Sequence, residues 1–339
     1  MANYKVIIVG ASGAVGQEML QVLDERNFPV GDLKLCATAR SAGKKMLFKG
    51  KTYTVEETTP DSFDGMDIAL FAGGAASTEF GPLAAEKGVV VIDNSSHFRL
   101  DPQVPLVVPE VNPEDVKEHK GIIANPNCST IIMVVPLKAI YDAAGVKRVV
   151  VSTYQAVSGA GAEGITELTN HTRAALDGGQ VVPSKFQYQI AFNLIPHIDV
   201  FQEMDYTKEE WKMVKETHKI LHDDTVGITA TTVRVPVYRS HSESVNIETE
   251  RKITAKEAKE ILANFPGVIV QDNPSNKEYP MPLYTSGKDE VFVGRIREDN
   301  SLDKGLNLWV VADQLRKGAA TNAVQIAELV IKYGCLGKR

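Results

Sequence analysis

The apolar run Lys5–Val9 (KVIIV) ends in Gly10-Ala11-Ser12-Gly13-Ala14-Val15-Gly16 and passes directly into a helical stretch from Val15 to Arg26. A short strand, a glycine-rich turn and a helix in immediate succession leave few folds open. The glycines let the turn close and let backbone approach a ligand, and the free N–H groups at the helix start hold negative charge. The spacing is G-x-x-G-x-x-G, a variant of the dinucleotide fingerprint, and its weight comes from its place at the end of a first strand. A tight βα turn without a ligand is the plainer alternative. More short apolar runs follow at Leu33–Ala37, Asp67–Phe71, Val89–Asp93, Leu106–Val108 and Gly121–Ala124. A helix over 82–88 is expected, opening at Pro82 and stopping at Gly88.

This alternation predicts an α/β fold with an N-terminal Rossmann-like, doubly wound parallel sheet. The chain changes character near residue 128. Val149–Tyr154, Ile228–Pro236, Ser244–Glu250, Val291–Ile296 and Leu306–Val311 are long and β-rich, with helices expected at 128–143, 161–176, 208–222 and 254–263. That pattern predicts a second, α+β domain on a mixed or antiparallel sheet. The expected division is 1–127 for the dinucleotide-binding domain and 128–312 for the catalytic and dimerisation domain, with a C-terminal helix over 313–333 returning to the first. Residues 271–290, rich in Pro, Asn, Lys and Ser, are expected to be irregular. A chain of 339 residues fits this division at roughly 150 residues per domain.

The net charge of -6 argues against a general nucleic-acid or anionic-membrane binder. No stretch approaches the ~18 apolar residues that a membrane helix needs, and the start of the chain lacks the pattern of a signal peptide. The three cysteines, Cys36, Cys128 and Cys335, are far apart and odd in number, so neither a disulfide scaffold nor a metal site is expected. A reduced, cytoplasmic protein is the expectation.

The second strand discriminates between cofactors. An NAD-binding unit carries Asp or Glu at its end to grip the ribose hydroxyls. Here Arg40 and Ser41 follow the strand, with Lys44 and Lys45 beyond. A guanidinium and a hydroxyl suit a 2′-phosphate, so NADP is predicted over NAD. The alternative is a solvated basic loop. Among the cysteines, Cys128 lies in Asn125-Pro126-Asn127-Cys128-Ser129-Thr130 ahead of a helical run. Asn127 is a good N-cap, which places Cys128 in the first turn, where the helix dipole favours a thiolate over its ordinary pKa of about 8.5. Cys36, in an apolar strand, and Cys335, near the end, fit the ordinary buried thiol.

These residues resemble the aspartate-semialdehyde dehydrogenase family. The similarity spans essentially the whole chain: GASGAVG at 10–16, SSHFR at 95–99, NPNCST at 125–130, YQAVSGAG at 154–161, EEWKM at 209–213, RVPVYRSHS at 234–242 and DQLRKGAATNAVQIAE at 313–328. The resemblance implies Cys128 as the acyl-thioester nucleophile and His241 as the acid/base that takes the thiol proton. It implies Gln155 as a substrate-positioning residue near Cys128, Arg234 as the clamp on the substrate α-carboxylate and Glu209 as the partner of its amino group. Arg99 and Lys212 are implied as the phosphate-binding cations. For the cofactor it implies Gly10, Ser12, Gly13, Ala14, Val15, Arg40, Ser41, Ser158 and Gly159. Gln314 falls at a cofactor-contacting position where Asn is the family expectation, and Thr232 stands where Cys is expected. The implied reaction is the reversible, NADPH-dependent conversion of L-aspartyl 4-phosphate to L-aspartate 4-semialdehyde and inorganic phosphate through a cysteine thioester. It serves lysine, threonine, methionine and diaminopimelate synthesis, and a homodimer is expected.

N-acetyl-γ-glutamyl-phosphate reductase is the nearest rival and a glyceraldehyde-phosphate dehydrogenase a more distant one. The Asn-Pro-Asn-Cys setting favours the aspartyl enzyme, as does Arg234 with Glu209, which suits a free amino acid. A catalytically silent NADP-binding protein is a rival of another class, but such a chain would be expected to lose Cys128 or His241. His218 and His222, four apart in H-K-I-L-H, lack the Glu of a zinc-protease motif and a third ligand.

Overall fold

The computed structural model describes residues 3–337. The chain divides into two compact units, one formed by the residues up to Asn127 together with those from Ala319 onward, the other by Cys128–Gly318.

In the first unit, β1 (Tyr4–Val9) is followed by α1 (Ala14–Glu25) and β2 (Val30–Ala37). Next come the hairpin strands β3 (Lys45–Phe48) and β4 (Lys51–Thr54), and then the short edge strand β5 (Glu56–Glu57). The unit continues through β6 (Ile68–Phe71), α2 (Ala75–Glu86), β7 (Val90–Asp93) and β8 (Ile122–Ala124). The six-stranded sheet runs β5-β2-β1-β6-β7-β8 and is parallel throughout. Its central strands are apolar through Val6–Val9, Ile68–Phe71 and Val90–Ile92 because both faces are covered there. Val6, Ile8, Leu35, Leu70 and Ile92 pack with the C-terminal helix Thr321–Lys332 and α1, while Ile7, Val9, Phe71 and Val91 pack on the opposite side with Phe63 and Ala84.

Two local expectations change. The helix expected over 82–88 starts earlier, at Ala75, and Pro82 lies inside it. Its end does follow the glycine rule: Gly88 takes φ +84 and Val89 N donates to Ala84 O. Leu106–Val108 is not a strand of its own but a single bridge, Leu106 to Ala124. The β3–β4 hairpin was not expected; it turns on Lys49 and Gly50, both at positive φ.

The second unit opens with α3 (Cys128–Ala144) and β9 (Val146–Gln155), then α4 (Ala162–Leu176), α5 (Lys208–Leu221), β10 (Gly227–Arg234) and β11 (His241–Thr249). It continues with α6 (Ala255–Ala263), β12 (Val268–Val270), α7 (Pro282–Thr285), β13 (Val291–Glu298) and β14 (Gly305–Ala312). The sheet is mixed, in the order β10-β9-β11-β14-β13-β12. β10 runs parallel to β9, and β11 antiparallel to both β9 and β14. Val149, Val151, Val245, Ile247, Leu308 and Val310 face one buried side, while the alternate residues Val150, Ser152, Asn246 and Trp309 are half-exposed. The C-terminal return begins later than expected: Asp313–Gly318 belongs to the second unit, held there by Arg239, Ser240, Gly287 and Asp289.

The first βα turn is built on close packing. A Cβ at Gly16 would lie 2.3 Å from Gly10 O and 2.7 Å from Ala11 Cα. Exchange of a helical Gly for Ala gains about 1 kcal/mol in propensity, but overpacking costs about 1–3 kcal/mol. Both contacts here are backbone, which cannot yield as a flexible side chain does, so the clash dominates. Gly16→Ala is expected to lower the urea midpoint and weaken NADPH binding; an unchanged midpoint would show that the turn has slack.

Candidate active site

The strand register brings the key side chains to one end of the second sheet. β9 ends at Gln155 and β10 ends at Arg234, its register partner. β11 runs the other way and therefore begins there, at His241, next to the pair Ser242 and Tyr154. Helix α3 starts at Cys128, so the sulfur lies in its first turn, where the helix dipole favours negative charge. Cys128 Sγ is 3.5 Å from His241 Nε2. The far side of the ring is fixed as well: Ala156 N donates to His241 Nδ1 at 3.0 Å.

Arg234 Nη1 donates to Ala156 O at 2.7 Å, so one residue holds both the imidazole and the guanidinium. His241 is fully buried. Burial first, and then the charge of Arg234, pull its pKa down to about 3, with Glu209 opposing. Burial also lowers Arg234, against the pull of Glu209 and Cys128. Gly159 covers this pair closely. A Cβ there would meet Arg234 Nη1 at 3.0 Å and His241 Cε1 and Nε2 at 3.2 and 3.3 Å.

Glu209 stands in the first turn of α5. Its neighbour Glu210 forms a capping box with Thr207 and also accepts from Thr232 N at 2.9 Å, which leaves Glu209 to face the site. Glu209 Oε1 accepts from Gln155 Nε2 at 3.1 Å, and Gln155 Oε1 accepts from Thr153 Oγ1 at 3.0 Å. Lys212 pairs at 2.9 Å with both Glu209 and Asp199. Burial opposes its charge, but these carboxylates outweigh burial and raise its pKa above the ordinary lysine value.

Gln314 and Ser158 are buried and tied to each other. Gln314 Nε2 donates to Ser158 Oγ, and Gln314 Oε1 accepts from Ser240 N at 2.8 Å. The Gln314 amide thus ties Ser158, just beyond the end of β9, to Ser240, the residue before His241. Ser240, the residue before the histidine, is held at φ +71, a strained value for a side-chain-bearing residue. Its hydroxyl lies 3.1 Å from those of Thr285 and Ser286.

In the first unit, Arg99 donates to Asn125 O at 2.9 Å and to Asn94 O at 2.8 Å. Asn125 is in turn bonded to Asn94 and Asn322 at 2.7 Å. At the glycine-rich turn, Gly10 takes φ +85 and α1 begins after Gly13 with no side-chain cap and no acidic residue in its first turn. Ser12, Ala14 and Val15 lie on this turn, and its open N–H groups suit a pyrophosphate. Ser12, Lys44 and Lys45 line a groove of about 540 Å³, with Arg40 exposed and Ser41 largely buried at the end of β2. These residues fit a phosphorylated dinucleotide.

The remaining candidates have local roles. Burial raises the Cys36 thiol to about 11, as expected of a packing residue. His218 Nε2 is bonded to Val226 O, and His222 is the left-handed C-cap of α5. Sequence reasoning missed Thr153, Asp199, Ser240 and Gly318. A Cβ at Gly318 would lie 3.0 Å from Cys128 Cβ. It also missed Glu243, two residues beyond His241 on β11, fully buried with no hydrogen-bond partner on either carboxyl oxygen.

Comparison with known proteins follows the same division. The family described as "Semialdehyde dehydrogenase, NAD binding domain" matches residues 5–119, and "Semialdehyde dehydrogenase, dimerisation domain" matches residues 137–317. An aspartate-semialdehyde dehydrogenase from Aquifex aeolicus is 62% identical over 98% of this chain and 100% of its own. One from Bacillus subtilis is 53% identical over 96% and 97%. The crystal structure of aspartate semialdehyde dehydrogenase II from Vibrio cholerae complexed with ASA superposes with a TM-score of 0.96 at 51% identity, covering 98% and 99% of the two chains. The Candida albicans structure with NADP gives 0.75 at 25% identity, covering 97% and 99%.

Burial pushes the Glu243 carboxyl well above its ordinary value of 4.5. A raised folded-state pKa contributes stability that is present below the unfolded value and lost as pH rises through the folded one. Glu243→Gln, which keeps the shape without the titration, is therefore expected to melt above wild type at neutral pH. The gap should close as pH falls toward 4.5. A difference in melting temperature that ignores pH would sink this assignment.

Proposed function

Because the chain belongs to the aspartate-semialdehyde dehydrogenase family, we propose that it interconverts L-aspartyl 4-phosphate and L-aspartate 4-semialdehyde through a thioester on Cys128, with NADP as cofactor and inorganic phosphate as co-substrate. The observation that carries this reading is the approach of Cys128 Sγ to His241 Nε2 at the head of α3, with Arg234 fixed beside it.

The residue chemistry divides simply. The Cys128 thiolate adds to the aldehyde carbon and gives a thiohemiacetal. When bound, NADP+ accepts the hydride that leaves that carbon. Arg234 meets the α-carboxylate with a planar fork, and its bond to Ala156 O fixes the fork's direction. Glu209 meets the α-ammonium, and Gln155 holds that carboxylate in place. A buried carboxylate at this position favours a free amino group over an acylated one, which supports the aspartyl substrate over an N-acetylated rival. Arg99 and Lys212 supply positive charge for phosphate. Arg40, Ser41, Ser12 and the glycine-rich turn serve the adenosine and pyrophosphate of NADP, and Ser158 and Gly159 its nicotinamide end. Gln314 acts on that end through Ser158. The reaction supplies an amino-acid semialdehyde for lysine, threonine, methionine and diaminopimelate synthesis.

A homodimer is part of the same reading, supported by the match to a dimerisation domain and by the half-exposed outer face of the second sheet. A cytoplasmic location accords with three free thiols. Among the described residues no helix is long and apolar enough to cross a membrane.

With L-aspartate semialdehyde and NADP+, NADPH absorbance is expected to grow only when phosphate is present and to vanish in Cys128→Ala. Growth without phosphate would mean hydrolysis of the thioester and would end the acyl-phosphate assignment. Activity confined to N-acetyl-γ-glutamyl phosphate would transfer the site to the rival substrate. Arg234→Lys is expected to lower kcat/KM about 10- to 100-fold, the loss of ~1.5–3 kcal/mol for a hydrogen bond to a charged group. Arg40→Ala should narrow the preference for NADP over NAD; an unaltered preference would remove Arg40 from the 2′-phosphate site.

A further inference from the structure

We propose that Asp199 is the positioning residue for Lys212: it retains the Lys212 ammonium for phosphate when the α-ammonium of the substrate takes Glu209. The inference deepens the proposed function and rests on it for the roles of Glu209 and Lys212.

One carboxylate has to serve two cations. Glu209 Oε2 accepts from Lys212 Nζ at 2.9 Å, across one helical turn, and its Oε1 accepts from Gln155. The substrate ammonium is a second cation that competes for the same group. The lysine stem is four flexible carbons, so nothing in Lys212 itself fixes its charged end. With Glu209 engaged by substrate, Lys212 keeps its place through another fixed anion. Asp199 supplies it, accepting from Lys212 Nζ on Oδ2 at 2.9 Å. An ammonium has three N–H groups. One on each carboxylate leaves the third for a phosphate oxygen.

The backbone holds Asp199 in an unfavourable conformation to achieve this. Its φ is +69, a region that residues with side chains rarely adopt and that Asp tolerates through local hydrogen bonding. That local bond is present: Asp199 Oδ1 accepts from Val200 N at 2.9 Å, while Oδ2 meets Lys212. The segment is pinned on both sides. Ile195 exchanges two backbone bonds with Arg234, at 3.0 and 2.8 Å. Lys208 N donates to Val200 O at 2.8 Å, where Thr207 caps α5. Strained residues persist where their surroundings over-determine them, and they gather at functional sites. The two pins here are the strand end that carries Arg234 and the helix start that carries Glu209 and Lys212. The same scaffold therefore sets both the substrate-binding groups and the anion behind Lys212.

The electrostatics run the same way. Burial opposes the charge on Lys212, yet Glu209 and Asp199 together hold its pKa above the ordinary lysine value. Of the elements packed on α5, β10 contributes Arg234, which adds its own pull on Glu209, and α3 contributes Cys128. When the substrate neutralises Glu209, Asp199 remains as counter-charge to Lys212. Loss of the Asp199 charge should therefore let Lys212 deprotonate at lower pH.

The test uses protein labelled with 13C at lysine Cε, the Lys212 resonance assigned by its loss in Lys212→Arg, and inorganic phosphate as the probe. Asp199→Asn and Asp199→Gly both remove the charge, and both residues tolerate a positive φ, so neither strains the backbone. Without substrate, Glu209 still anchors Lys212, and phosphate affinity in both variants is expected to stay near wild type. With L-aspartate semialdehyde present and NADP+ withheld, it is expected to fall about 10-fold, within the ordinary range of coupling between two sites. In turnover the KM for phosphate should rise by a like factor, while that for aspartate semialdehyde stays near wild type. The Lys212 titration should move to lower pH. Phosphate affinity unchanged in the presence of the aldehyde makes the ion pair a structural one and overturns the proposal. A gain in affinity makes Asp199 a competitor for Lys212 and overturns it as well, as does an equal loss with and without the aldehyde. If wild type forms no NADPH from aspartate semialdehyde, the proposed function fails, while the phosphate titrations, which need no turnover, still decide whether Asp199 holds Lys212.

Discussion

The pairing of β9 with β10 on one side and β11 on the other is the constraint on which the site depends. Because β10 is parallel to β9, both end at the same edge, and because β11 is antiparallel, it begins there. Gln155, Arg234 and His241 come from segments far apart in the chain, yet register alone places them together. A slip of one residue would turn each side chain to the opposite face. The half-exposed face cannot accept Val149, Val151 and Val245 without exposing them, so burial on the other side locks the register. Core packing thereby fixes the chemistry.

Within that frame the polar groups work in series. Ala156 orients an imidazole with its N–H and a guanidinium with its carbonyl. Gln155, the preceding residue, orients Glu209, which in turn holds Lys212. Two adjacent residues at the end of one strand therefore set the direction of most of the charged groups around the sulfur. Buried polar networks of this kind are costly unless each member is satisfied. Glu243 lies outside the chain of bonds, and burial pushes its carboxyl well above the ordinary carboxylate range.

Much of this was legible in the sequence where a single local rule governs. The strand–glycine–helix opening gave the parallel sheet, and the polar setting of Cys128 marked it apart from Cys36. The long β-rich runs marked the mixed sheet of the second unit. Legibility failed where non-local packing decides. Pro82 reads as a helix start, yet α2 runs through it from Ala75. Asp199 carries no local signal, because its partner Lys212 comes from another segment. Ser240 reads as an ordinary loop residue, and only the fold shows its positive φ and its tie to Gln314. The direction of the His241 bonds was hidden too, since it depends on a backbone N–H supplied by β9's end.

The chain enters the second unit at Cys128 and leaves it at Gly318, where a Cβ would lie only 3.0 Å from that of Cys128. In the first unit, Asn125 is likewise bonded to Ala319 O, so the interrupted chain has closely placed ends of its own. The second unit is thus an insert with a closed neck. A host fold can accept such a cassette without stretching, since the gap to be bridged is little more than a van der Waals contact. The nucleophile stands at the suture itself. The neck constrains its own residues, because any side chain larger than that of glycine at the exit presses directly on the sulfur-bearing carbon at the entrance.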